Sequence, residues 1–271
     1  MTRGSFSIRS GFLIAGLILL AGAHGIAVAE PSSAATGSFN AYVSRVEARL
    51  GEQHSKRVEF LALPASGSDA ATQLGRGELL IEKLTPASGP ELSGAMLHHW
   101  RGTAFAPGAT AADFERLMRD IDSYPRHFSP QVIEARVVGG AGDHLQARMR
   151  VRQRHVITVV LDTDYDIAFA RLDAQHRFSV SRSSRIAEIE NAGTSSERAM
   201  NATEDHGFLW RLNTYWSCEE RDGGLSIQIE SVSLTRSIPR GMAWAVGPFV
   251  ESVPRESLEF TLRSVLNALR K

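Results

Sequence analysis

The sequence predicts an α+β fold: a curved antiparallel sheet of about seven strands wrapped on a long C-terminal helix, with an N-terminal extension. Three observations carry this. Residues 207–236, GFLWRLNTYWSCEERDGGLSIQIESVSLTR, read as two long strands reversed at Arg221-Asp222-Gly223-Gly224, where glycines accept the positive φ of a tight turn. Residues 254–269 place Leu258, Leu262, Val265, Leu266 and Leu269 at helical spacing, with Arg263, Arg270 and Lys271 late, where cations complement the helix dipole. The strand-like segments also follow one another through short turns without βαβ alternation, which argues against a parallel nucleotide-binding sheet.

The start of the chain reads as a leader. Arg3 and Arg9 precede a short apolar run, 11–20, and Ala27-Val28-Ala29 supplies a cleavage site. A secretory signal peptide cut after Ala29, and a periplasmic or secreted location, are expected. The run is about half the roughly 20 apolar residues that a membrane span needs. Loss of 1–29 removes two arginines and no acid, leaving 28 basic against 30 acidic residues and a formal net charge of −2. That balance excludes general nucleic-acid binding, which requires a basic surface. Cys218 is the single cysteine of the 271 residues, so no internal disulfide can form. Its place among strand aromatics marks it as a small buried hydrophobe.

Taken in order, 30–37 reads as a linker, and 30–95 as an extension packed on the main domain. Within it Phe39, Tyr42, Val43, Val46 and Leu50 predict a helix over 38–50 that Ser38 could cap. Residues 64–72 and 85–94 read as loops, and 78–84 as a short helix or strand. The main domain, 96–271, opens with a strand over 97–105. Thr110 then caps a helix whose buried face is Phe114, Leu117, Met118 and Ile121. After a turn and short second helix or loop over 123–130, strands are expected at 132–138, 145–161, 165–172 and 177–190, ahead of the ribbon. Residues 237–253 read as an apolar loop punctuated by Gly and Pro.

Two segments carry a resemblance to a known family: WRGTAFAPGATAADFERLMRDIDSYPRHFSP (100–130) and SVPRESLEFTLRSVLNAL (252–269). Strand, helix pair, strands and long final helix together resemble the helix-grip fold of the START-like (SRPBCC) superfamily, which includes bacterial polyketide cyclase/dehydrase-like and coenzyme Q-binding proteins. The resemblance covers roughly 100–271. It implies an apolar cavity between the sheet and the last helix, and it brings no shared catalytic motif to carry over.

Strand alternation separates Met149, Val151, Gln153 and His155 from Arg148, Arg150, Arg152 and Arg154. The arginines belong outside, because four unpartnered cations in a cavity would cost too much. In the ribbon Trp210, Leu212, Thr214 and Trp216 share a face. The ligand-contact candidates are therefore His155, Met149, Val151, Tyr165, Trp210, Thr214, Trp216, Leu258 and Leu262. Ser179, Ser181 and Ser183 read as an exposed polar stripe. Asp162, Asp164 and Asp166, taken to surround a turn, lack the glycine and bidentate glutamate of a calcium loop. His98-His99 and Glu204-Asp205-His206 lack zinc spacing, and no P-loop, G-x-S-x-G or dinucleotide motif occurs. No catalytic residue, metal or cofactor is assigned.

The expected function is an exported binding or carrier protein for a hydrophobic small molecule: a lipid, an isoprenoid or a quinone-like compound. The ligand would pass the apolar stretch 241–250, where Trp244 and Phe249 could touch a membrane surface transiently. Two alternatives stay open. One is a cyclase or dehydratase-type enzyme using His155 or Tyr165 for proton transfer. The other is an interaction module whose cavity is filled by its own side chains. The oligomeric state is not legible.

Overall fold

A computed structural model describes residues 30–62, 68–85, 92, 94–154, 158–201, 204–237 and 243–270, with the backbone alone at 68 and 243–251. The expected leader, 1–29, and His155 lie outside the described residues.

The helices are α1 (Ser33–His54), α2 (Ser68–Gly75), α3 (Ala111–Arg119), α4 (Tyr124–His127) and α5 (Ala243–Leu269). The strands are β1 (Leu80–Lys83), β2 (Ala95–Pro107), β3 (Val132–Ala141), β4 (His144–Arg154), β5 (Thr158–Arg171), β6 (His176–Glu190), β7 (Arg198–Ala199), β8 (Arg211–Arg221) and β9 (Gly224–Arg236). They form one curved antiparallel sheet in the order β1-β2-β9-β8-β6-β5-β4-β3, with β7 paired to β6. The ribbon turn is tighter than the four residues read from the sequence. Arg221 already pairs with Gly224, leaving Asp222 and Gly223, both at positive φ (53° and 74°), as the reversal. That is the two-residue geometry whose twist matches the strands.

Several boundaries differ from expectation. The segment 145–161 is not one strand: β4 ends at Arg154 and β5 starts at Thr158, antiparallel, with Arg154 opposite Thr158. No Gly, Pro, Asn or Asp marks that reversal, so apolar alternation runs through it. Asp162, Asp164 and Asp166 consequently lie mid-strand, not around a turn. The helix read over 38–50 begins at Ser33, with Ser32 Oγ accepting from the Ala35 amide, so 33–37 is no linker. The supposed loop 64–72 overlaps α2. The presumed apolar loop 237–253 is helical from Ala243, so α5 spans 27 residues, about 40 Å at 1.5 Å per residue.

The sheet is covered on both faces. On the inner face α3, α4 and the second half of α5 bury Ala104, Ala106, Ile167, Phe169, Trp216, Cys218, Leu225, Ile227 and Ile229. Burial pushes the Cys218 thiol up to about 12, consistent with an inert small hydrophobe. On the outer face the stripe Ala35, Phe39, Tyr42, Val43, Val46 and Leu50 of α1 packs on Leu97, Tyr215, Val232 and Leu234. Strand β9 is thus buried on both sides over most of its length. Beyond the reach of α1, the outer face of β4 and β5 is a charge ladder. Arg148 bonds Asp164 and Arg150 bonds Asp162, each pair directly opposed in the register, and Arg150 also bonds Glu197. The arginine row therefore faces outward, as expected, and Asp164 and Asp162 are the partners of Arg148 and Arg150.

The outer layer holds buried polar groups. His99 Nδ1 meets the Tyr42 hydroxyl at 2.9 Å and its Nε2 meets Glu230 at 2.9 Å. Arg101 of β2 and Arg49 of α1 both donate to the same carboxylate. At the far end of α1, His54 is stacked on Phe178 at 4.3 Å and meets Ser217 Oγ at 2.7 Å. Burial lowers the His54 pKa to about 4, the charge of Glu230 opposing this and that of Arg49 adding to it. The folded state therefore favours the neutral ring, whose contribution is complete above the unfolded value near 6.5 and is lost as pH falls toward 4. Between pH 7 and 4.5 this single group should remove about 2–3 kcal/mol of stability. Urea titrations at both pH values will check it: His54→Gln should flatten the dependence, and an unchanged drop in that variant would refute the assignment.

Candidate functional site

On β8 and β4 the inner face is buried at one end of the strand and half-buried at the other. Trp216 and Cys218 of β8 are buried, whereas Leu212 and Thr214 of the same face are only half-buried. In β4 the change falls between Ala147 and Met149, and in β9 Ser231 is half-buried between buried Ile229 and Ser233. These positions are neighbours in the register, since Trp216 opposes Ile229 and Thr214 opposes Ser231. Core packing from α3, α4 and late α5 therefore stops before the strands do. What remains is a half-buried stretch of inner face, Leu212, Thr214 and Ser231, toward the end where β8 begins and β9 finishes.

α5 is seated over β2. A Cβ on Gly102 would lie 2.6 Å from Leu262 Cδ1 and 3.0 Å from Leu258 Cδ2, so the helix touches bare backbone there. A β-strand glycine that admits a close neighbour is the expected device for such an approach. Across the sheet, Gln153 Nε2 of β4 donates to Ser257 Oγ of α5 at 3.2 Å. The helix thus meets the sheet on both sides of this stretch. This is a helix-grip fold. It is the arrangement expected from the resemblance to the START-like superfamily.

The helix-grip frame brings together Met149, Val151, Tyr165, Thr214, Trp216, Leu258 and Leu262 on the inner side. Trp210 does not join them. It packs in the outer cluster and lines a separate cleft of about 660 Å³ with Ser33, Asn40, Arg185, Asp205 and Arg211. The alternation rule fails at this residue because Trp210 precedes the first residue of β8, and strand parity holds only inside the strand. Ser179, Ser181 and Ser183 also correct the expectation, because they face inward: Ser181 lies between Ile167 and Thr214, and Ser179 is buried. The side chains of Trp244 and Phe249 and the stretch 241–242 lie outside the described residues.

Tyr165 is buried, and that burial pushes its hydroxyl up to about 12, the Thr163 hydroxyl opposing weakly. It stays protonated at neutral pH. Asp166, its neighbour in sequence, faces the other way and accepts from Gln146 Nε2 at 3.1 Å, so the two do not form an acid/base pair. No cluster of three metal-ligating side chains occurs among the described residues. Sequence reasoning missed Trp100, which faces inward from β2 opposite Ser231. The usable signal was its parity with Gly102, Ala104 and Ala106, three small residues that lie beneath the inner helices.

No protein-family model and no curated protein matches the chain. Among solved structures it is similar to a STAR-related lipid transfer protein fragment from Xanthomonas axonopodis (15% identity, TM-score 0.43, covering 70% of this chain and 99% of that one). It is also similar to the Zhui aromatase/cyclase from Streptomyces sp. R1128 (14%, 0.42, 64% and 93%) and to human STARD10 (10%, 0.45, 69% and 69%). At these values the helix-grip assignment rests on strand order and the seat of α5, not on the likeness.

Proposed function

We propose that this chain is an exported binding or carrier protein for a hydrophobic small molecule, a lipid, isoprenoid or quinone-like compound, held between the inner face and α5. The observation that carries this reading is the half-buried inner recess. Met149, Val151, Leu212 and Thr214 point toward the helix yet are not sealed by the side chains that bury the other half of the same face. Apolar burial, on a scale of roughly 25 cal/mol per Å², would drive binding, and a few polar groups would orient the guest. Export follows from the leader pattern and the cleavage site after Ala29. Transient membrane contact near Trp244 and Phe249 would give the guest a route in.

Native mass spectrometry of the protein purified from its own host, followed by organic extraction, tests this reading. A reproducible co-purifying neutral or amphiphilic lipid is the expected result. Ligand-free protein in repeated preparations, together with no binding of the uncharged probe N-phenyl-1-naphthylamine, would overturn it.

A further inference from the structure

Trp100 is buried to 8% exposure, yet its indole Nε1–H has no hydrogen-bond partner among the described residues. Buried donors are almost always satisfied, and one left alone costs about as much as a lost hydrogen bond, so an orphan at the wall of a recess asks for a guest atom. The one other unpartnered buried atom among the described side chains, Glu82 Oε2, at least has a charge partner, Arg101 at 3.7 Å. Trp100 has none. Its surroundings are set by the register: a row crosses the inner face as Ile167, Ser181, Thr214, Ser231 and Trp100, one residue from each of five adjacent strands. The three hydroxyls are half-buried, so they face the recess rather than a packed layer.

The row contains no charge. Arg177, which shares the inner face two pairs further along β6, is engaged with Glu115, and the arginines of β4 lie on the outer face, where Arg148 and Arg150 pair with aspartates. A carboxylate or phosphate drawn against this row would lose its water and find no cation in the row itself to replace it, a costly exchange. A neutral oxygen would instead accept from an indole N–H and from hydroxyls that can rotate to suit it.

Resting on the carrier reading above, we propose that Trp100 with Ser181, Thr214 and Ser231 forms the head-group subsite, and that it selects an uncharged ligand bearing a hydroxyl or carbonyl oxygen. The anionic analogue of the same ligand is disfavoured. Trp100 Nε1–H donates to that oxygen, and the apolar tail runs along Met149 and Val151.

A matched pair, geranylgeraniol and geranylgeranoic acid at pH 8, displaced against N-phenyl-1-naphthylamine, tests the subsite. The wild-type protein should bind the alcohol at least tenfold more tightly than the acid. Trp100→Phe keeps an aromatic ring and removes the donor; it should weaken the alcohol about five- to tenfold more than it weakens the probe. Thr214→Val is the second variant, expected to weaken the alcohol similarly, and it decides the matter should Trp100→Phe lose its folded circular-dichroism spectrum. Probe binding with equal affinity for alcohol and acid, or an alcohol affinity unmoved in the folded variants, overturns the subsite and leaves the carrier reading standing. Absence of probe binding to wild-type protein that is also ligand-free as purified overturns both.

Discussion

Glu230→Ala will cost about 3–5 kcal/mol of folding stability at neutral pH, the range seen when one member of a buried ion cluster is removed. The carboxylate is 2% exposed and accepts from His99, Arg101 and Arg49. Burial alone would raise its pKa, but the bond from His99 and the charges of Arg101 and Arg49 outweigh that and hold it at about 2. It is therefore a full negative charge at any physiological pH. Without it, Arg101, 11% exposed, keeps only the longer pair to Glu82 at 3.7 Å, and His99, 4% exposed, loses its carboxylate partner beneath α1. Arg49 differs, because at 40% exposure it can turn into water. Arg49→Ala should accordingly cost only about 1 kcal/mol. Urea denaturation followed by tryptophan fluorescence will separate the two, and a Glu230→Ala penalty no larger than that of Arg49→Ala would refute the trapped-charge account.

Leu262→Ala should cost about 2–5 kcal/mol, the usual range for truncating a sealed leucine. Leu262 is fully buried and rests on the bare backbone of Gly102, where relaxation of rigid strand and helix cannot fill the void. The complementary change, Gly102→Ala, places a methyl 2.6 Å from Leu262 Cδ1. Overpacking there should cost about 1–3 kcal/mol and lift α5 from β2. Thermal denaturation reads both changes. If the two are combined, the truncated leucine makes room for the new methyl, and the double variant should be more stable than the sum of the single losses predicts. Simple additivity would count against this contact as the seat of the helix.

Local signals made much of this fold legible. Asp222-Gly223 between alternating apolar runs located the ribbon, and Thr110 marked the start of α3, where the structure adds a capping box with Asp113. The leucine stripe of 258–269 located the second half of α5. What was not legible depended on distant contacts or on missing punctuation. The segment Ser33–Gly37 looks like a linker and folds as helix because Ala35 and Phe39 find the outer face of the sheet. The reversal between Arg154 and Thr158 carries no turn residue. Tyr42, His99 and Glu230 come from three separate parts of the chain, so no spacing rule could gather them. At the site, parity within strands placed Met149, Val151, Thr214 and Trp216 on the inner side, and the same rule misplaced Trp210 one residue outside β8.

The double coverage of β9 has a consequence for the order of folding. α1 leaves the ribosome first, but its docking surface is built from β2, β8 and β9, and Arg49 meets Glu230 across 181 residues of sequence. Contacts of such separation raise contact order and slow the search for the native state. Until the last ribbon is synthesised, the stripe of Phe39, Tyr42, Val43 and Val46 has only the β2 part of that surface to cover it. The outer layer therefore closes late. A chain truncated before residue 224 would present that stripe to chaperones and proteases as a surface still waiting for its partner.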